Sequence, residues 1–83
     1  MTLPDYARDP LISALAAQMK RFRSDRGLTY EQLAEITRMS RRAVIAYERG
    51  ETMGTLRYWF RIADALDVPF SEFVAPLDRE QHS

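Results

Sequence analysis

Helix start and stop signals recur at short intervals along this chain, and they constrain its fold more than any other feature. Small polar residues suit the N-cap of a helix, proline suits its first position, and glycine suits the left-handed position just past its end. The signals are, in chain order, Asp9-Pro10, Gly27, Thr29, Ser40, Gly50 and Thr55. They divide the chain into short helices that are joined by tight turns.

Apolar residues between these signals recur at helical spacing and predict five helices. The first helix has an apolar stripe of Leu11, Ile12, Leu15, Ala16, Met19 and Phe22. The fourth, which begins at Thr55, is broad enough in apolar character to be mostly buried, with Leu56, Trp59, Phe60, Ile62, Ala63 and Leu66. A short last helix is predicted from Phe70 to Val74. The expected fold is a compact all-α domain over 10–75, with a flexible arm at 1–9 and a flexible tail at 76–83.

Length and composition set further bounds on the class of protein. A chain of 83 residues is sufficient for one domain, and its core is thin. It has no cysteine and no apolar run of the roughly 20 residues that span a bilayer, so we expect a cytoplasmic location and no membrane contact. His82, the one histidine, lies near the C-terminus. We expect no metal site, no cofactor, no effector pocket and no enzymatic activity.

Charge is distributed unevenly, although the formal net charge is zero. The stretch from Lys20 to Arg49 has eight basic and four acidic side chains, and the flanks have four basic and eight acidic ones. Such a local positive field attracts a polyanion, even on a neutral protein. The alternative, that the arginines only solvate helix faces, fits the charge pattern equally well.

The segment from Thr29 to Gly50 indicates a helix-turn-helix unit. Two helices joined by a three-residue turn cross steeply, which requires a small residue where their backbones approach, and Ala34 is available for that position. The residues expected behind the two helices are Leu33, Met39, Val44 and Tyr47. The third helix therefore lies with its other face outward.

That outward face has the chemistry for contact with DNA. An α-helix fits the major groove, its N-terminal residues reach base edges, and arginine forms paired hydrogen bonds with guanine. The predicted base contacts are Arg41, Arg42, Ile45 and Ala46. The predicted phosphate contacts from the helix starts and the following loop are Thr29, Ser40, Arg49 and Thr52. N-capping explains Thr29 equally well, and packing explains Ile45 equally well.

Several segments of the chain, in the same order, resemble the Cro/C1 family of helix-turn-helix regulators, also called the XRE type. The matching features are Arg23, G-L-T at 27–29, L-A at 33–34, M-S-R-R at 39–42, Y-E-R-G at 47–50 and I-A-D-A-L-D-V-P at 62–69. The resemblance covers about residues 12–75 and implies a lambda-repressor-like fold. It also implies a structural ion pair between Arg23 and Glu48.

Three positions depart from the pattern of that family. Tyr30 stands where the family usually has a glutamine that contacts phosphate and braces the recognition helix. Tyrosine keeps a hydroxyl donor, so Tyr30 is also expected to contact phosphate, but it lacks the amide pair of the bracing contact. Arg38 stands where the turn commonly has glycine, so we expect either that a phosphate contact of Arg38 offsets the strain or that the turn adopts another shape. Gly54 stands in place of a proline, which is expected to loosen the loop before the fourth helix.

Two functional hypotheses follow from these patterns. The first is a transcriptional regulator that binds an inverted repeat in double-stranded DNA as a homodimer, with Phe70, Phe73 and Val74 at the dimer interface. Those three residues could equally close the small core. The second is a protein-interaction module with the same fold, such as an antitoxin or an adaptor that binds RNA polymerase or a toxin.

Overall fold

A computed structural model describes residues 8–80, and this part of the chain contains helices and no strand. The helices are α1 (Pro10–Asp25), α2 (Tyr30–Thr37), α3 (Arg41–Arg49), α4 (Leu56–Ala65), α5 (Phe70–Val74) and α6 (Leu77–Glu80). The prediction of an all-α domain is confirmed. The one-turn helix α6 occupies part of the predicted tail, and most of the predicted arm lies outside the described residues. Between residues 8 and 80, no helix has the length and apolar character to cross a membrane.

The helix boundaries follow the cap chemistry expected from the sequence. A carboxylate oxygen of Asp9 accepts a hydrogen bond from the Leu11 amide at 2.9 Å, and Pro10 occupies the first turn of α1. Thr29 and Gln32 form a reciprocal capping box at the start of α2. The hydroxyl groups of Ser40 and Thr55 cap α3 and α4 by accepting the amides of Ala43 and Tyr58, without the reciprocal bond of a capping box. Each cap satisfies backbone amides that a helix start leaves without a partner.

The core lies where α1 to α5 meet. Its fully buried side chains are Met19, Leu33, Val44, Ile62, Leu66 and Phe73. The apolar stripe of α1 faces this core except at its first member, Leu11, which is exposed at the surface. Trp59 extends the core toward α3, where its ring meets Tyr47 edge-on with 4.7 Å between the ring centroids.

Two expectations about the apolar residues of α4 and α5 are wrong. The helix α4 is strongly one-sided, and it leaves Leu56 73% exposed and Phe60 53% exposed. Phe73 is completely buried and belongs to the core, so its side chain cannot form a dimer interface. Phe70 and Val74 are half-buried against the edge of the core. Helical spacing identifies the apolar positions but not which of them a neighbouring helix covers.

The loop before α4 is tight rather than loosened by Gly54. This glycine has φ +74°, and a Cβ atom placed on it would lie 2.5 Å from Cε2 of Tyr47 and 2.8 Å from Nε1 of Trp59. The Thr55 amide at the end of the loop also donates a hydrogen bond to the Tyr47 hydroxyl at 3.0 Å. Glycine is therefore required here by both its φ angle and the lack of space for a side chain.

Candidate nucleic-acid interface

The turn between α2 and α3 sets the direction of α3 relative to α2. Arg38 adopts the left-handed conformation with φ 60°, and the Met39 amide donates to the Ala34 carbonyl at 3.1 Å. The buried Thr37 hydroxyl donates to the Leu33 carbonyl at 2.7 Å. Ala34 itself is buried. Arg38 thus ends α2 in a conformation that usually favours glycine, at a cost of about 1–2 kcal/mol.

The helix α3 has a buried inner face and a polar outer face. Val44 and Tyr47 are its two buried residues. The opposite face and the following loop line one surface groove, which is formed by Arg41, Arg42, Ile45, Ala46, Arg49 and Glu51. The three arginines of this groove are exposed, whereas its two apolar residues are partly covered. All four predicted base contacts therefore lie together on one concave surface.

A charged network behind α3 fixes the helix on the domain. Nε and Nη2 of Arg23 donate to the two carboxylate oxygens of Glu48 at 2.6 and 3.1 Å, and Nη1 donates to the Leu28 carbonyl at 2.9 Å. The side chain of Glu48 is only 5% exposed. The hydrogen bond to Glu48 raises the pKa of Arg23, despite the opposing effect of burial. This geometry matches the ion pair that the family resemblance implied.

Tyr30 belongs to the same network. Its hydroxyl donates to Oε2 of Glu48, and the Arg23 guanidinium lies 4.4 Å from the centre of its ring. The hydrogen bond to Glu48, followed by burial, raises the pKa of this hydroxyl. A phenol has one proton to donate, so this hydroxyl cannot donate to a phosphate while it binds Glu48. The expected phosphate contact of Tyr30 is therefore corrected to a bracing contact with α3.

The two adjacent arginines at the start of α3 have different surroundings. Nε of Arg41 lies 2.5 Å from Oε1 of Glu31, at the start of α2, and both side chains are more than half exposed. The pKa of Glu31 is lowered, first by its own backbone amide and then by the Arg41 hydrogen bond. Arg42 is exposed and forms no ion pair with any residue between 8 and 80.

The hydroxyl groups predicted to contact phosphate serve as local caps. Thr29 and Ser40 each accept a backbone amide at 3.0 Å, and Thr52 accepts the Gly54 amide at 3.1 Å. Ser40 and Thr52 use a lone pair in these bonds and keep their own proton as a donor, so capping and phosphate contact are compatible at both positions. The Thr29 hydroxyl also interacts with the Glu31 carboxylate, which favours its role as a cap. The other two arginines predicted to contact phosphate, Arg38 and Arg49, are exposed residues.

The Glu31–Arg41 pair was not foreseen from the sequence. A carboxylate in the first turn of a helix is explained by the helix dipole alone, so nothing in the pattern pointed to a residue ten positions later. The Tyr30–Glu48 contact also depends on how the helices cross. Of the contacts behind α3, only the Arg23–Glu48 pair had a prior signal, in the family resemblance.

Two neighbouring helices, α2 and α3, joined by a short turn, with the small residue Ala34 buried on the first and exposed cations on the second, are typical of a helix-turn-helix protein. Comparison with known proteins agrees, because the helix-turn-helix family profile matches residues 19–73. HTH-type transcriptional regulator SutR of Escherichia coli (strain K12) is 37% identical over 62 residues, which are 75% of this chain and 35% of that regulator. The chain thus spans about a third of the length of this curated relative, at 35%. The chain belongs to the Cro/C1-type (XRE) helix-turn-helix family.

Proposed function

We propose that this protein binds double-stranded DNA by inserting α3 into the major groove, and that it regulates transcription. The observation that carries the proposal is the outer face of α3, where exposed arginines flank the partly covered Ile45 and Ala46 in one groove. Arg42 is available for the bidentate contact that arginine makes with guanine. Ile45 and Ala46 offer the apolar contact that suits a thymine methyl group.

Base contacts and phosphate contacts would have separate effects on binding. Arg41 and Arg42 lie in the first turn of α3, from which a recognition helix reaches base edges. Arg38, Arg49 and the capping hydroxyl groups would contact phosphates, which orient the protein without reading sequence. Phosphate contacts release counterions, so affinity would fall steeply with salt, whereas loss of a base contact would reduce discrimination.

We further propose that the protein binds an inverted repeat as a homodimer. Leu56, Phe60 and the half-buried Phe70 line one apolar groove between α4 and α5. Covering this face against a second copy would remove the large exposed side chains of Leu56 and Phe60 from water. Compared with the interface predicted from the sequence, this one keeps Phe70, adds Leu56 and Phe60 of α4, and omits Phe73 and Val74, which do not line the groove. A two-fold dimer would place its recognition helices roughly 34 Å apart, one turn of DNA.

The test is a fluorescence-anisotropy titration with two kinds of DNA. Selection from a randomised duplex pool first supplies a preferred site, and the same protein is then titrated with that site and with a random duplex. We expect Arg42→Ala to weaken binding to the selected site by about 1–3 kcal/mol and to relax preference at one base pair. Arg79→Ala, on α6, removes an exposed arginine far along the chain from α3 and is expected to change neither quantity.

The outcome also separates the two functional hypotheses. Failure of the folded wild-type protein to bind any duplex at low salt would refute DNA binding and favour the protein-interaction module. If Arg42→Ala and Arg79→Ala had equal effects, the proposal of DNA binding would stand, but Arg42 would no longer be assigned a base contact. An asymmetric selected site would contradict the inverted repeat.

A further inference from the structure

We propose that Glu31 is a positioning residue for DNA recognition, which holds the Arg41 guanidinium in a fixed orientation and thereby favours base discrimination over non-specific attraction to phosphate. This inference rests on the proposed DNA binding by α3. It assigns a role to a residue that itself has the wrong charge for contact with DNA.

The guanidinium of Arg41 is bounded on two sides. Its Nε lies 2.5 Å from Oε1 of Glu31, and its central carbon lies 5.9 Å from the centre of the Tyr30 ring. The Tyr30 ring is itself held by its hydrogen bond to Glu48 and by Arg23. The surroundings of Arg41 are therefore anchored to the charged network behind α3, although Arg41 itself is exposed.

The direction of the Glu31 contact determines which donors of Arg41 remain available. An arginine has five N–H donors in a planar fork, and Glu31 engages the one on Nε. The two terminal amino groups remain as a pair, and paired donors in a fixed plane suit the two acceptors of guanine. A free arginine side chain would instead sample many rotamers and reach nearby phosphates.

The charge of Glu31 acts in the same direction as its geometry. A carboxylate next to Arg41 cancels much of the attraction that this cation would exert on any duplex, whatever its sequence. Arg42 has no such partner among the described residues. The two arginines would therefore differ in function: Arg42 adds affinity and base contact, and Arg41 adds a contact that depends on correct geometry.

Glu35 provides a matched control for removal of the charge. It lies one turn further along α2, it is exposed, and it forms no ion pair with any residue in the range 8–80. Glu31→Gln and Glu35→Gln each remove one negative charge from the same helix and keep a side chain of similar shape. Only the first disrupts a contact with Arg41.

The experiment measures binding of each variant to the selected site and to a random duplex over a range of salt concentrations. We expect E31Q to tighten binding to the random duplex about two- to fivefold, the range that corresponds to an exposed ion pair. Affinity for the selected site is expected to rise less, so the ratio of the two affinities falls. If the freed Arg41 contacts one more phosphate, the salt slope steepens by about 0.9. E35Q is expected to leave the ratio and the slope unchanged.

A second background tests whether the effect depends on Arg41. In Arg41→Gln protein, adding E31Q is expected to change neither the affinity ratio nor the salt slope. The pair is also measured without DNA, because R41Q is expected to raise the pKa of Glu31 toward its ordinary value in an NMR titration.

Three results would overturn the inference. Equal effects of E31Q and E35Q would show that Glu31 acts only through its contribution to the net charge. An effect of E31Q that persists in the R41Q background would show that Glu31 does not act through Arg41. An unchanged pKa of Glu31 in R41Q would show that the pair is not formed in solution. Absence of DNA binding by the wild type would overturn the proposed function as well, while the NMR titration would still report on the pair.

Discussion

Replacing Gly54 by alanine should destabilise this protein much more than the same change at Gly27. Both glycines have positive φ angles, +64° at Gly27 and +74° at Gly54. A Cβ atom at Gly27 would meet nothing within 4 Å, whereas one at Gly54 would overlap the rings of Tyr47 and Trp59. Neither ring can move freely, because the Tyr47 hydroxyl accepts the Thr55 amide and the Trp59 indole donates to a backbone carbonyl at 3.1 Å.

The magnitude follows from two separate terms. A non-glycine residue in the left-handed conformation costs about 1–2 kcal/mol, and this term applies to both variants. Forcing an extra carbon into a packed site costs about 1–3 kcal/mol more, and this term applies at Gly54 alone. Reduced freedom of the unfolded chain offsets about 0.4–1 kcal/mol in each variant. The difference between the two variants is therefore about 1–3 kcal/mol, a large part of the roughly 4–12 kcal/mol expected for a domain of this size.

Unfolding by urea and by heat, each followed by circular dichroism, measures this difference directly. We expect Gly54→Ala to lower the urea midpoint more than Gly27→Ala, and to lower Tm by an additional 4 °C or more, since about 1 kcal/mol shifts Tm by roughly 4–8 °C in a small domain. Gly54→Pro should also be destabilising, because proline fixes φ near −65°. Equal stability of the two alanine variants would refute the close packing around Gly54.

Three further predictions concern the turn, the charged network and the apolar face. Arg38→Gly should raise the free energy of unfolding by up to about 1 kcal/mol, since it relieves the left-handed strain, and should flatten the salt slope of DNA binding by about 0.9; a less stable variant would contradict the strain. Tyr30→Phe should cost about 1.5–3 kcal/mol at neutral pH through the lost hydrogen bond to Glu48. Because the folded-state pKa of Tyr30 is raised above 10.0, this wild-type advantage should be complete below pH 10 and be lost as the pH rises through the folded-state pKa; urea midpoints that stay equally far apart at high pH would contradict it. Leu56→Glu together with Phe60→Glu should convert a dimer to a monomer in sedimentation and lower Tm, because both the dimer contact and the packing of Phe60 against Phe70 are lost; a monomeric wild type would contradict the dimer.

Local chemistry is what made much of this fold predictable. A cap needs only the residues within one turn of it, so Thr29, Ser40 and Thr55 could be identified without knowledge of the tertiary structure. The outward face of α3 was predictable for a related reason, because Val44 and Tyr47 lie on one side of this nine-residue helix and place its arginines on the other. Family resemblance supplied the Arg23–Glu48 pair.

Contacts between distant elements were not predictable in this way. Periodicity marks Phe60 and Phe73 as equally apolar, yet one is half exposed and the other is completely buried. The difference depends on where α5 lies, and Gln18 of α1 fixes that position by donating to the Phe73 carbonyl at 3.0 Å. Tyr30 and Gly54 were misjudged for the same reason. Their partners come from α3 and α4. A departure from the residue type that is usual in the family does not identify those partners.

The orientation of α3 is fixed both by the core and by one carboxylate. Val44 and Tyr47 are buried in the core, so a rotation of this helix about its own axis would expose both side chains to water. Glu48 adds a second constraint, because it accepts hydrogen bonds from Arg23 of α1 and Tyr30 of α2 at the same time. Buried ion pairs of this kind add little net stability, but removal of one partner leaves a charge without compensation and costs about 3–5 kcal/mol. The network therefore acts mainly through geometry: together with the buried Val44 and Tyr47, it determines which side chains of α3 face outward on the surface proposed to bind DNA.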